Sequence, residues 1–180
     1  ATPARVKQEV LGMYSGVKQG QFYGGRYFNY QDIRGEEFNN EKTNGVTNLL
    51  TWNFGLQSST NEVNNLWYQG YLAINRCNVV MNGLDTSPID ASLKTQYKAE
   101  ASFLRALSYY SLLTLYARPY WDGNGSKPGL PLRLNAETSS GKSDLVRSTV
   151  AQVYDQILID LDFAEANLLA TNGSAYDNTT

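Results

Sequence analysis

The stretch AEASFLRALSYYSLLTLYARPYW, residues 99–121, is apolar on almost every side, with Ser and Ala where a surface helix would carry Lys and Glu. One arginine, Arg105, sits in its middle, and Arg118-Pro119 stops it, because proline cannot continue a helix. Ala99, Ala101, Ala106, Ser108 and Ser111 let neighbouring backbones approach, while Phe103, Leu104, Leu107, Tyr110, Leu113 and Leu115 fill the gaps. An apolar arc this wide needs more than one partner. The stretch therefore predicts the middle helix of a stack. It also predicts a buried Arg105 that needs a carboxylate or carbonyl partner, with Glu100 and Asp32 the nearest candidates.

The partners follow from the flanking periodicity. Ser59 and Glu62 match a capping box, and Val63, Leu66, Trp67, Tyr71, Ile74, Asn78 and Met81 recur at three- and four-residue intervals up to Gly83, a left-handed stop. Thr149 and Gln152 form a second capping box ahead of Val150, Val153, Tyr154, Ile157, Leu158, Leu161, Ala164 and Leu168, with Gly173 closing the helix. Thr2-Pro3 opens a further helix whose stripe is Val6, Val10, Met13 and Val17, ended by Gly20. Its Gly12 and Gly16 read as close packing or chance, since the helix is too charged for a membrane dimer. Ser87, Pro88 and Asp90 read as the start of the helix that contains 99–117.

Two long insertions interrupt this all-α pattern. Residues 20–58 are rich in Gly, Asn and aromatics without sustained periodicity, apart from a short helix around Thr47–Trp52. Residues 118–147 hold three of the five prolines. No strand pattern is evident, and 180 residues suit one helical domain or part of a larger protein.

Composition excludes several chemistries. The chain has no histidine and one cysteine, Cys77, which removes His-based metal sites, Ser-His-Asp catalysis and an internal disulfide. A formal net charge of −2 argues against nucleic acid as a partner. No run reaches the length of a membrane-spanning helix. The Gly-rich pieces GGRYF and DGNGSKPG lack the strand–loop–helix context of a phosphate loop, so no cofactor is expected. The sequons at Asn124, Asn172 and Asn178 are expected by chance in an Asn-rich chain. Glu36, Glu37, Asp32, Asp160 and Asp162 could serve a glycosidase only if two of them faced one cleft, and a solvated face accounts for them more simply.

The aromatic excursion is the more informative feature. Phe22, Tyr23, Tyr27, Phe28, Tyr30, Phe38, Trp52 and Phe54 are interleaved with Asn, and Tyr120-Trp121 open the second insertion. A pyranose stacks its C–H face on an aromatic ring while amides and guanidinium groups take its hydroxyls. Trp52 and Asn53, with Arg34 and Asn48 upstream and Tyr27, Tyr30 and Trp121 beside them, are candidate ligand contacts. Most of the eight rings are expected to pin the insertion to the helices, leaving two or three exposed.

Several segments in a fixed order, DIRGEE, LWYQGYLAINRCNVVMNGL, AEASFLRALSYYSLLTLYARPYW, GLPL and RSTVAQVYDQILIDLDFAEANL, together resemble the SusD/RagB-like outer-membrane lipoproteins. The resemblance covers nearly the whole chain and the N-terminal part of that family's usual length. It implies an all-α, tetratricopeptide-like scaffold with long loop insertions and no catalysis. It further implies a lipid anchor at the bacterial cell surface, in Bacteroidetes-type organisms, and a SusC-like TonB-dependent transporter as partner. The cargo would be oligosaccharides, or peptides in RagB-like relatives, bound largely by inserted loops. On that reading the anchor cysteine precedes residue 1, and a C-terminal portion lies beyond this chain. The alternatives are a helical protein–protein interaction module without a small ligand, and a hydrolase using Glu36 or Glu37.

Overall fold

The computed structural model describes residues 2–36, 49–139, 141 and 144–171. Six helices follow one another: α1 (Pro3–Val17), α2 (Arg26–Arg34), α3 (Leu49–Trp52), α4 (Asn61–Leu84), α5 (Ala91–Tyr116) and α6 (Val150–Asn167). Among the described residues there is no strand, only an isolated bridge between Pro128 and Thr149. The scaffold is all-α and tetratricopeptide-like, with long insertions between its helices.

The helix 99–117 does lie in the middle. As part of α5 it packs along α4 on one side and α6 on the other, and α1 rests on both α4 and α5. Its small residues Ala99, Ala101, Ala106, Ser108 and Ser111 are all buried, which lets those helix axes come close. At the same contact Gly70 of α4 faces Leu112, and a Cβ there would stand 2.8 Å from Leu112 Cδ2. Leu104 and Leu113 fill the gaps as expected, joined by Tyr109 and Leu112, but Phe103 and Tyr110 do not, being 42% and 46% exposed.

Two apolar clusters share α4 and α5. One joins Val6, Val10 and Met13 of α1 to Leu66, Ala73 and Cys77 of α4, with Phe22 and Tyr30 added by the first insertion. The other joins Ile74, Tyr109 and Leu112 to Val150, Val153 and Ile157 of α6, with Leu130 added by the second insertion. Each fully buried large side chain contributes about 1.5–3 kcal/mol.

Helix ends follow the sequence at two places and depart from it at three. Thr2 caps α1 by accepting from Arg5 N–H, and Thr149 and Gln152 form the reciprocal box of α6. The box expected at Ser59 and Glu62 does not form: Thr60 is the cap residue of α4, and its hydroxyl accepts from Gln57 N–H instead. Gly83 is no left-handed stop, since α4 runs through it to Leu84. Nor do Ser87 and Pro88 start α5, which begins after Asp90, while the Ser87 hydroxyl donates to the Leu84 carbonyl and so closes the α4 end. Gly173 lies outside the described residues. Of the GxxxG pair, Gly16 is a true close approach, where a Cβ would stand 2.9 Å from Arg76 Cδ; beside Gly12 there is open space.

Arg105 is paired, though with neither expected carboxylate. Its Nε and Nη2 donate to the two carboxylate oxygens of Asp160 at 2.8 and 2.7 Å, and Nη1 donates to Asn78 Oδ1 at 2.8 Å. Glu100 instead accepts from Tyr14 and Gln96. The pairing joins α4, α5 and α6 at one buried point. It was invisible to sequence neighbourhood because Asp160 lies 55 residues away.

Around that point α4 grips the second insertion. Tyr71, Asn75 and Asn78 stand on one helix face: Tyr71 donates to the Pro131 carbonyl, Asn75 to that of Glu137, and Asn78 to those of Arg133 and Asn135. Tyr109 of α5 exchanges two hydrogen bonds with the backbone of Arg133.

Candidate functional site

The first insertion was expected to be irregular except near Thr47–Trp52, yet residues 26–34 form a nine-residue helix, α2. Its sequence is polar and it has no side-chain cap, so no periodic signal marks it. It is held in place by docking. Gly24 N–H and Gly25 N–H close the turn before it, and a Cβ on Gly24 would stand 2.3 Å from the Lys18 carbonyl, which makes glycine obligatory there. Phe22 is fully buried, and Tyr23 stacks on Tyr27 at 4.8 Å while sharing a hydrogen bond with Ser111 of α5. Tyr27 is thus part of a ring cluster pinned to the helices. Of the seven excursion aromatics described, Phe28 and Phe54 are exposed; Phe38 lies outside the described residues.

The end of α2, the stretch 51–58, the start of α4 and the last turn of α5 enclose an open cavity of about 400 Å³. Tyr30, Phe54, Leu56, Val63, Leu66, Leu115 and Tyr116 supply its apolar wall, and Arg34, Thr51, Gln57, Ser58 and Glu62 its polar one. Tyr116 donates to the Val63 carbonyl at 2.6 Å, tying the end of α5 to the start of α4 directly under the cavity. Among the described residues, the Tyr30 hydroxyl and Thr51 Oγ1 are buried without a hydrogen-bond partner. Burial pushes the Tyr30 phenol above its usual value, opposed by the nearby Arg26 guanidinium and reinforced by Glu62. Burial does the same to Tyr116, with Tyr30 adding to it. Both phenols are therefore neutral donors. The cavity combines an apolar face, a guanidinium, an amide and hydroxyls, which suits a neutral polyol with a flat C–H face. Glu62 is the carboxylate on its wall among the described residues.

The candidate residues are partly gathered here. Arg34 and Tyr30 line the cavity. Trp52 and Asn53 do not, although Thr51 and Phe54 on either side of them do; Trp52 is half-buried and Asn53 exposed. Asn48 lies outside the described residues, as does Glu37. Trp121 is on the second insertion, 79% exposed, and also off the cavity wall. Glu62 is read from the sequence as half of a cap, which hides its place on the wall, and Gln57 and Ser58 carry no signal of their own. Leu115 reads as core in the sequence for the good reason that most of its helix is core. Among the described residues no cluster of His, Cys, Asp and Glu could hold a metal, and no helix is long and apolar enough to cross a membrane.

Residues 4–177 match a SusD-like family described as starch-binding and associating with the outer membrane. No curated protein sequence matches the chain. Among solved structures, a SusD superfamily protein from Bacteroides fragilis is 34% identical with a TM-score of 0.82, over 90% of this chain and 38% of its own. A SusD superfamily protein from Bacteroides thetaiotaomicron is 24% identical with a TM-score of 0.81, over 96% and 39% of the two chains. A protein described as a laminarin-binding SusD-like protein is 22% identical with a TM-score of 0.73, over 96% and 36%. The chain thus spans less than two fifths of the length of these structures.

Proposed function

The chain belongs to this SusD-like family, and from that premise we propose that it is part of a cell-surface protein that binds oligosaccharide and delivers it to a TonB-dependent outer-membrane transporter. The observation that carries the proposal is the cavity between the start of α4 and the end of α5, whose lining brings Phe54 and Leu56 together with Arg34, Gln57 and Ser58. A sugar ring laid against Phe54 and Leu56 would find the Arg34 guanidinium and the Gln57 amide in the same cavity for its hydroxyls. Trp52 and Asn53, next to Phe54 in sequence, would extend the contact surface, and Tyr27 belongs to the ring cluster that docks α2. The family description as starch-binding and the laminarin-binding relative point to glucose polymers as the first ligands to try. The protein acts by binding alone, held at the outer membrane by a lipid anchor.

Isothermal titration of the whole protein with maltooligosaccharides and laminarin oligosaccharides tests this. Arg34→Ala and Phe54→Ala are expected to weaken binding about tenfold each, the loss of a charged hydrogen bond or of a stacking contact. Trp52→Ala should cost less. A protein that binds neither series but binds short peptides would instead fit the RagB-like alternative. One that binds no small ligand would fit a protein-interaction module. Binding unchanged in both cavity variants would dismiss this site.

A further inference from the structure

Resting on the glycan-binding reading, we infer that the protein has a second sugar contact on the loop after α5, so that long glycans are held at two points. The observations concern residues 118–126. This loop carries Trp121, the most exposed large aromatic of the described chain, with Tyr120 beside it at 45% exposure. A tryptophan left this bare on a mobile loop would be unremarkable, but this loop is rigidly built. Gly123, Asn124 and Gly125 take positive φ values of 82°, 54° and 79° in succession. Asp122 N–H donates to the Pro119 carbonyl, and Gly125 N–H to that of Tyr120 at 2.8 Å. Ala151 N–H, at the start of α6, donates to the Gly125 carbonyl, which ties the loop to the scaffold. Gly125 is buried because the Tyr120 ring lies over it; a Cβ there would stand 2.7 Å from that ring.

The loop is also polar where a sugar needs it. Arg118 Nε donates to Asp122 Oδ2 at 2.6 Å, and this bond holds the Asp122 carboxyl below its usual range, so a charged donor–acceptor pair flanks the rings. Tyr120 meets Tyr154 of α6 edge-on at 5.8 Å, and the two border a small hollow of about 180 Å³ together with Thr114, Arg118 and Pro119.

Position links this hollow to the larger cavity. The cavity is bordered by Leu115 and Tyr116 and the hollow by Leu113, Thr114 and Ala117, so they lie on opposite sides of the last turn of α5. A helix with its side chains is about 10 Å across. A disaccharide seated in the cavity would not reach round to Trp121; a longer chain crossing the end of α5 would.

The test is affinity against ligand length for the whole protein, with laminarin oligosaccharides and maltooligosaccharides graded upward from the disaccharide. Trp121→Ala is expected to leave disaccharide affinity unchanged and to weaken the longest chains by roughly fivefold or more. Trp121→Tyr should restore most of the loss, and Phe54→Ala should weaken short and long ligands alike. A protein that binds neither series overturns this inference together with the glycan-binding reading. Normal binding at every length by Trp121→Ala overturns this inference alone, as does an equal loss at every length. Unchanged glycan binding with lost co-purification of the transporter would make the loop a protein interface and overturn it too.

Discussion

Replacing Asp160 by alanine probes the point where three helices meet. In the native protein Arg105 makes three hydrogen bonds, two of them to Asp160, and both side chains are nearly inaccessible to water. Asp160→Ala removes both carboxylate oxygens and leaves a guanidinium with only Asn78 as acceptor. Stranding a buried charge in this way costs about 3–5 kcal/mol, far more than an exposed pair would contribute. For a chain of this size that corresponds to a fall in Tm of roughly 6–20 °C. Urea unfolding followed by near-ultraviolet circular dichroism of the tyrosines measures it. The double variant Arg105→Met, Asp160→Leu should recover most of the loss, because the cost lies in the uncompensated charge and not in missing volume. A loss below about 1 kcal/mol in Asp160→Ala, or a double variant as unstable as the sum of its parts, would refute this account of the buried pair.

Gly70→Ala should destabilise by about 1–3 kcal/mol, seen in the same unfolding assay, since its Cβ meets three Leu112 side-chain carbons at 2.8–2.9 Å inside a filled core. Tyr71→Phe should cost about 1 kcal/mol and raise hydrogen-exchange rates selectively around residues 131–137, because it leaves the Pro131 carbonyl without its donor. Burial raises the phenols of Tyr71, Tyr109 and Tyr116 above their ordinary value, so at alkaline pH the unfolded chain loses protons that the native one keeps. Their contribution to stability should be constant below about pH 9 and fall as pH rises through the ordinary tyrosine range, with the part of the tyrosinate absorbance that belongs to the buried rings appearing only as the protein unfolds. Cys77, whose thiol is pushed up to about 12 by burial, should resist alkylating reagents at pH 8 until urea exposes it.

The scaffold was readable because its signals are local and repeated. Stripes such as Val6, Val10, Met13 and the Thr149–Gln152 box depend on residues three or four apart, and each formed where expected. What was unreadable depends on distant partners. Helix α2 exists because Phe22 and Tyr23 dock on α1 and α5, and nothing within its own nine residues announces this. Asn78 reads in the sequence as one more member of the α4 stripe, and only the structure shows it linking Arg105 to the second insertion. The candidate site was half legible. Arg34 and Tyr30, named from residue type, line the cavity, whereas Gln57 carried no signal and Glu62 was masked by a cap pattern that does not form, Thr60 turning its hydroxyl to Gln57 N–H.

The way α4 and α5 hold residues 131–137 bears on how such a surface can change. Four side chains of the two helices grasp the segment by its main-chain carbonyls, a feature every amino acid supplies. Substitutions at Leu134 or Asn135, both exposed, leave the grasped atoms untouched. The helices therefore fix the path of this strap while leaving its chemistry open. Its outward side chains can change with no penalty in placement, so long as Tyr71, Asn75, Asn78 and Tyr109 stay.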